Sequence, residues 1–217
     1  MKFIGIVGST NEHSYNRKLL EYAQFIMMDQ VQIDIIDIAN LPLFSVDLLE
    51  SDYPKLHKIS EKIISSDGVI IATPEINHTI PPMLKSLLEW LSFRLQPFKD
   101  KPVMIIGASH EGQGTIRAQM HLRQILASPG LEAFVIPGNE FLLNNAKDKF
   151  DNDGRLLDEQ TIDYLEHCIL RFKKFATLIN TMDLNSIESH FTLTLKAGGY
   201  INLDDPNSDG TAAASEY

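Results

Sequence analysis

The chain has 217 residues, 44% apolar and 22% charged, with 19 basic against 29 acidic side chains and a formal charge of -10. This balance suits a globular chain with a sizeable core; it excludes collagen-like, coiled-coil and disordered classes, and it disfavours nucleic acid and anionic lipid as partners. Apolar runs such as residues 3–7 and 69–72 fall far short of the ~20 residues a membrane span needs, and no charged-then-apolar leader opens the chain, which predicts a cytoplasmic protein with no membrane partner.

Short β-rich apolar runs at 3–7, 31–37, 68–73, 103–108 and 133–136 predict five parallel strands covered on both faces. Between them the spacing is helical: Leu19, Leu20, Ala23, Ile26 and Met27, then Leu56, Ile59, Ile63 and Ile64, then 84–91, then 116–126. Alternation of this kind is the α/β signature, with right-handed crossovers. A last helix is predicted from Asp158, a good N-cap, with Ile162, Leu165, Ile169, Phe172, Ala176 and Ile179 as its apolar stripe. Beyond Asn180, Phe191, Leu193 and Leu195 alternate, Gly198 and Gly199 can turn the chain, and Ile201 and Leu203 can return it. A domain over 1–180 is thus followed by an extension over 181–217, with a hairpin at 191–203 and then a polar tail.

Ligands of open parallel sheets bind at the carboxyl ends of the strands, so three loops are candidates. Gly8, Ser9, Thr10, Asn11, Glu12, His13, Ser14, Tyr15 and Asn16 follow the first strand, and their hydroxyls, amides and helix N-terminal N–H groups can hold a phosphate. Ser9 and Ser14 equally suit turn-shaping and capping. The dinucleotide fingerprint fails because Val7 stands where its second glycine would be, and no Gly-Lys-Ser/Thr is present for a P-loop. After the third strand come Thr73, Pro74, Glu75, Ile76, Asn77, His78, Thr79, Ile80, Pro81 and Pro82, a stiff loop in which Pro81 suits the first helical turn. After the fourth come Ser109, His110, Glu111, Gly112, Gln113, Gly114 and Thr115, whose glycines permit close backbone approach.

Together these segments resemble the NAD(P)H-dependent FMN reductase family, the flavodoxin-like group of azoreductases, chromate reductases and quinone reductases. The first loop is similar to its G-S-x-R-x-x-S-x-N phosphate loop. Pro74, Glu75, Asn77, Ile80, Pro81, Leu84 and Lys85 match its P-E-Y-N-x-x-I-P-x-x-L-K segment, and Gly107, Ala108, Ser109, Gly114, Arg117, Ala118 and Gln119 match G-A-S-x-G-x-x-G-x-x-R-A-Q. Leu41 to Phe44 and Phe150 to Leu156 extend the likeness.

The resemblance implies a flavodoxin-like three-layer sandwich, a five-stranded sheet in the order 2-1-3-4-5 with helices on both faces. It further implies bound FMN, NADH or NADPH as co-substrate, and hydride transfer on to a small acceptor such as a quinone, azo compound, chromate or free flavin. Ser9, Asn11, Ser14, Tyr15 and Asn16 would then serve the phosphate and ribityl chain, Pro74, Glu75, Ile76 and Asn77 the pyrimidine side, and Ser109, Gly112 and Gly114 the other end of the ring. No catalytic acid–base side chain is implied, because the cofactor carries the chemistry. An FMN-binding electron carrier without nicotinamide turnover is the alternative. A scaffold that has lost its flavin is a third reading. Asn11, Ile76, His78, Glu111 and Thr115 depart from the family pattern, at positions of its Arg, Tyr and three glycines.

Other features carry milder readings. With Gly154 as the sixth residue of a calcium loop, Lys149 and Gln160 occupy the first and twelfth ligand positions, so 151–154 reads as a turn. The lone Cys168 can form no internal disulfide or cysteine-based metal site and reads as a buried inert thiol, and His121 and His167 as surface or satisfied histidines. His78 and His110 lie in the loops and could touch substrate. Helix 81–95 is apolar on nearly every side, which predicts a second subunit against it and a homodimer or dimer of dimers.

Overall fold

A computed structural model describes residues 1–110 and 112–182. Six strands, β1 (Lys2–Val7), β2 (Gln32–Asp37), β3 (Gly68–Ala72), β4 (Pro102–Ala108), β5 (Phe134–Val135) and β6 (Phe141–Leu143), form one parallel sheet in the order β2-β1-β3-β4-β5, with β6 also paired to β4. The expected strand order is the one found. Five helices complete the layers: α1 (Tyr15–Ile26), α2 (Pro54–Ile64), α3 (Pro82–Trp90), α4 (Ile116–Leu126) and α5 (Glu159–Asn180).

Strand alternation divides the core in two. Phe3, Val7, Ile70, Ala72, Met104 and Ile106 face α1 and α5, while Ile4, Ile6, Val69, Ile71, Val103 and Ile105 face α2, α3 and α4. Both faces are dry, which is why these strands read as unbroken apolar runs. Ser14 caps α1, its Oγ accepting from the Asn16 N–H at 3.2 Å, and Asp158 caps α5, accepting from the Thr161 N–H at 3.0 Å and from the Thr161 hydroxyl.

The predicted strand at 133–136 is shorter than expected, and its continuation was not anticipated. Pro137 has no N–H to donate and Gly138 takes φ +58°, so the chain leaves β4 after Val135 and Ile136 and rejoins it at Phe141, opposite Ile106. Buried Asn139 anchors the detour by donating to the Cys168 carbonyl at 3.0 Å. Pro81 is also one position off: it lies before α3 in extended conformation, and Pro82 occupies the first helical turn.

The apolar sides of α3 are covered within the chain. Trp90 is buried edge-on against Phe44 at 5.1 Å and beside Tyr53 at 5.7 Å, and its indole N–H donates to the Pro42 carbonyl at 3.0 Å. The loop after β2 therefore supplies the cover that the sequence reading assigned to a second subunit. A π-helical turn, Leu91–Leu95, follows α3 and leaves Phe93 exposed.

Met1–Asn180 form one compact unit. Within the remaining unit, from Thr181, only Thr181 and Met182 are described, so the expected hairpin at 191–203 and the tail lie outside the described residues. No described helix is long and apolar enough to cross a membrane. Cys168 is buried, and that burial pushes its thiol pKa up. Residues 151–154 form a turn closed by the Asp151 carboxylate, which accepts from the N–H groups of Asp153 and Arg155 at 2.9 and 2.8 Å.

Candidate active site

The loops after β1, β3 and β4 meet at the carboxyl edge of the sheet because each is tied to the next strand. The Gly8 N–H donates to Ala72, Thr73 to Ile106 and Ser109 to Leu143, at 2.8, 3.0 and 2.9 Å. Two glycines allow this closeness. A Cβ on Gly8 would lie 2.9 Å from the Ala72 carbonyl oxygen, and one on Gly107 would lie 1.9 Å from Thr115 Oγ1 and 2.7 Å from the Thr73 carbonyl oxygen.

In the first loop, Ser9 Oγ accepts from the Asn11 N–H at 3.2 Å and Asn11 Oδ1 from the His13 N–H at 2.9 Å. Like Ser14 Oγ, these oxygens accept, so the Ser9 and Ser14 hydroxyl hydrogens and the Asn11 amide remain as donors for an anion. Capping and anion binding, which looked like competing roles, are therefore compatible. The N–H groups of Thr10, Glu12 and Tyr15 have no acceptor among the described residues. The cations of the adjoining helix turn elsewhere: Arg17 pairs with Asp37 at 2.7 Å, and Lys18 lies over the Tyr15 ring at 5.4 Å. Burial opposes ionisation of Asp37, but the Ala39 N–H and the Arg17 guanidinium outweigh it and hold this carboxyl below its ordinary value.

Two residues expected to touch a ligand have side chains engaged within the protein. Asn16 is buried, with Nδ2 donating to the Ala108 carbonyl and Oδ1 accepting from the Ala108 N–H, both at 2.9 Å. Its amide is spent on backbone, so it supports the loop from behind. Tyr15 is wedged edge-on against His110 at 4.8 Å and stacked on Phe150 at 5.9 Å.

The loop after β3 contains a two-residue reverse turn. Ile76 and Thr79 exchange both backbone hydrogen bonds, at 2.9 and 3.0 Å, around Asn77 at φ +49° and His78 at φ +64°. Two successive positive φ values define a type I′ turn, which favours Asn followed by Gly. His78 fills the glycine position. Ile76 is exposed, and Thr79 Oγ1 is 3.0 Å from His121 Nδ1, which gives that histidine a partner. Glu75 faces inward: Oε2 accepts from the N–H groups of Arg117 and Ala118 at 2.9 and 3.2 Å, and Oε1 from the Arg117 guanidinium at 3.3 Å.

In the loop after β4, Gly114 adopts φ +63°, and a Cβ on Gly112 would meet nothing within 4 Å. Gly112 therefore presents open backbone. Buried Thr115 fills the space above Gly107 and accepts from the Gln119 side chain at 3.1 Å. Glu111, one of the departures, lies outside the described residues. Outward donors at one end and uncrowded backbone with an exposed aliphatic wall at the other fit a flat phosphorylated ligand.

Residues 1–148 match the family model of NADPH-dependent FMN reductases. The chain belongs to that family. It is 42% identical over 182 residues to the NADH:(hydroxy)cinnamate reductase subunit CrdA of Vibrio ruber, a match covering 84% of this chain and 90% of that protein. It is likewise 42% identical to the NADH-dependent flavin reductase subunit 2 of Lactobacillus johnsonii, over 81% of this chain and 97% of that protein. Among solved structures, FerB of Paracoccus denitrificans, a flavoenzyme NAD(P)H:(acceptor) oxidoreductase, aligns with TM-score 0.71 and 25% identity over 82% of this chain and 97% of its own. This member of the family is thus an FMN-dependent NAD(P)H oxidoreductase, as the three loops implied.

The roles of Asn16 and Glu75 were invisible in the sequence, since their partners are 92 and 42 residues away.

Proposed function

We propose that the loops after β1, β3 and β4 hold FMN in an open shelf and that the acceptor is a small planar conjugated molecule. The observation that carries this reading is the convergence of unspent donors at Ser9, Asn11 and Ser14 with the open backbone at Gly112. Ser9, Asn11, Ser14 and the free N–H groups of Thr10, Glu12 and Tyr15 would bind the phosphate without a dedicated cation. Backbone around Pro74, Glu75, Ile76 and Asn77 would line the pyrimidine side, and Ser109, Gly112 and Gly114 the other end. When bound, FMN supplies the centre that takes a hydride from the nicotinamide and gives it to the acceptor. The chain's own part is to bind and orient, and no side chain of the shelf is required to relay a proton.

The names of the two relatives, a (hydroxy)cinnamate reductase and a flavin reductase, support conjugated acceptors; quinones, azo compounds, free flavin and chromate belong to the set to be assayed. Both relatives are also named as subunits, which favours a second reading in which this chain passes reducing equivalents to another polypeptide.

The same proposal takes 1–180 as the reductase domain with 181–217 appended, a cytoplasmic location where nicotinamide pools are available, and a homodimer or dimer of dimers. Exposed Leu43, Val46, Leu49 and Phe93 support self-association. A visible spectrum before and after anaerobic addition of NADH or NADPH tests the core of the proposal. Bleaching of a bound yellow chromophore is expected, and a colourless protein that takes up no FMN would refute it. Light scattering at micromolar concentration tests the dimer.

A further inference from the structure

The carboxylate of Glu75 is spent on the first turn of helix α4. Its side chain is 11% exposed, and its two oxygens take the backbone N–H groups of Arg117 and Ala118 and the Arg117 guanidinium, which Gln113 Oε1 also holds at 2.6 Å. Helix α4 has no cap of its own, because the side chain of Thr115 makes no capping bond. The orphan donors of its first turn are therefore met from 42 residues away.

Glu75 also immediately precedes the Ile76–Thr79 turn. Capping the helix and placing the turn are thus one act of one residue. A carboxylate turned outward here would repel the negative charge that a flavin ring gathers on reduction; turned inward, it is neutralised by the positive end of α4.

We propose that Glu75 is a positioning residue for the flavin shelf, clasping the turn after β3 to the N-terminus of α4 and so holding the two ring-side walls at a fixed separation. This rests on the reading that these loops hold FMN. The clasp acts through backbone, so the two N–H bonds matter more than the ion pair. Removing the Arg117 side chain leaves those two bonds intact, and so does Glu75→Gln, because both N–H groups donate to Oε2 and the one amide oxygen of glutamine can take its place; Glu75→Leu removes both acceptors.

The test compares the whole chain with Glu75→Leu, Glu75→Gln and Arg117→Met, by amide exchange without FMN and by flavin fluorescence titration. In Glu75→Leu the amides of Ile76, Thr79, Arg117 and Ala118 should exchange about tenfold faster while those of Ile71 and Ile105 keep wild-type rates, and FMN should bind about tenfold more weakly. Glu75→Gln and Arg117→Met, which break the ion pair and keep the two N–H bonds, should stay within about threefold of wild type in affinity. Should Glu75→Leu not fold, Glu75→Asp, which withdraws the carboxylate by one methylene, reports at the same four amides in the same direction. Unchanged exchange there, exchange accelerated throughout the sheet, or unaltered FMN affinity despite a loosened turn would each overturn the clasp. A wild-type chain that takes up no FMN overturns the flavin reading and this role with it; faster exchange at the four amides then shows that the contact exists without a flavin to serve.

Discussion

The side chain of Asn16 grips the backbone of Ala108 at both polar groups, donating through Nδ2 and accepting through Oδ1 at 2.9 Å each. This fastens the start of α1 to the end of β4 across the carboxyl edge of the sheet. Because the pair is buried, Asn16→Ala strands two backbone groups and should cost about 2–4 kcal/mol in urea unfolding. Asn16→Asp should be nearly as damaging, since it retains an acceptor for the Ala108 N–H but places a second oxygen against the Ala108 carbonyl.

His78 occupies the left-handed second position of the Ile76–Thr79 turn. A Cβ there costs roughly 1 kcal/mol, part of which a glycine returns through its larger unfolded-state entropy. His78→Gly should raise stability by about 0.5–1 kcal/mol, read as a higher urea midpoint at constant slope. A lower midpoint would mean that the imidazole makes contacts worth more than the strain.

Gly107 has a rigid neighbour and a movable one. Thr115 Oγ1 would lie 1.9 Å from a new Cβ, and the Thr73 carbonyl oxygen 2.7 Å. Gly107→Ala should destabilise by about 1–3 kcal/mol or more. Adding Thr115→Gly should recover only part of this, because the Thr73 backbone cannot withdraw. Complete recovery would show that the hydroxyl was the whole obstacle.

Asn11 stands where the family resemblance places an arginine, and it is exposed. Asn11→Arg should tighten FMN binding by about tenfold at low ionic strength, through a charge-assisted hydrogen bond to the phosphate. The gain should shrink as salt is added, whereas the wild-type affinity should respond weakly to salt. Titrations at two salt concentrations check both slopes.

Asp37 links stability to acid pH. Its carboxyl pKa is lowered in the folded chain, so the unfolded chain binds the proton more readily. The stabilisation is complete above the ordinary value of 3.8 and is lost as pH falls through the lower folded value. Asp37→Asn should therefore lower the melting temperature at neutral pH, and the gap from wild type should close in strong acid. A gap that stays constant with pH would locate the effect in packing.

The central strands were legible because β1, β3 and β4 are covered on both sides, leaving uninterrupted apolar runs at Phe3 to Val7, Gly68 to Ala72 and Val103 to Ala108. The edge was less legible. Phe141, Leu142 and Leu143 make a strand only because β4 extends far enough to receive them after the kink at Pro137 and Gly138. At the site, local motifs identified the loops, but they could not indicate which side chains face a ligand. Asn16 and Glu75 look like ligand contacts in a motif and turn inward in three dimensions, because the backbone groups they satisfy arrive from distant strands and helices. The cover that α3 receives within the chain was hidden for the same reason: Phe44 and Tyr53 reach it from the segment beyond β2.

The interruption between β5 and β6 also bears on how the protein behaves when crowded. Two short runs separated by Pro137, Gly138, Asn139 and Glu140 present no continuous row of donors and acceptors on which a neighbouring molecule could template its own backbone. Among the described residues, this margin of the sheet is thus a poor template for edge-to-edge pairing.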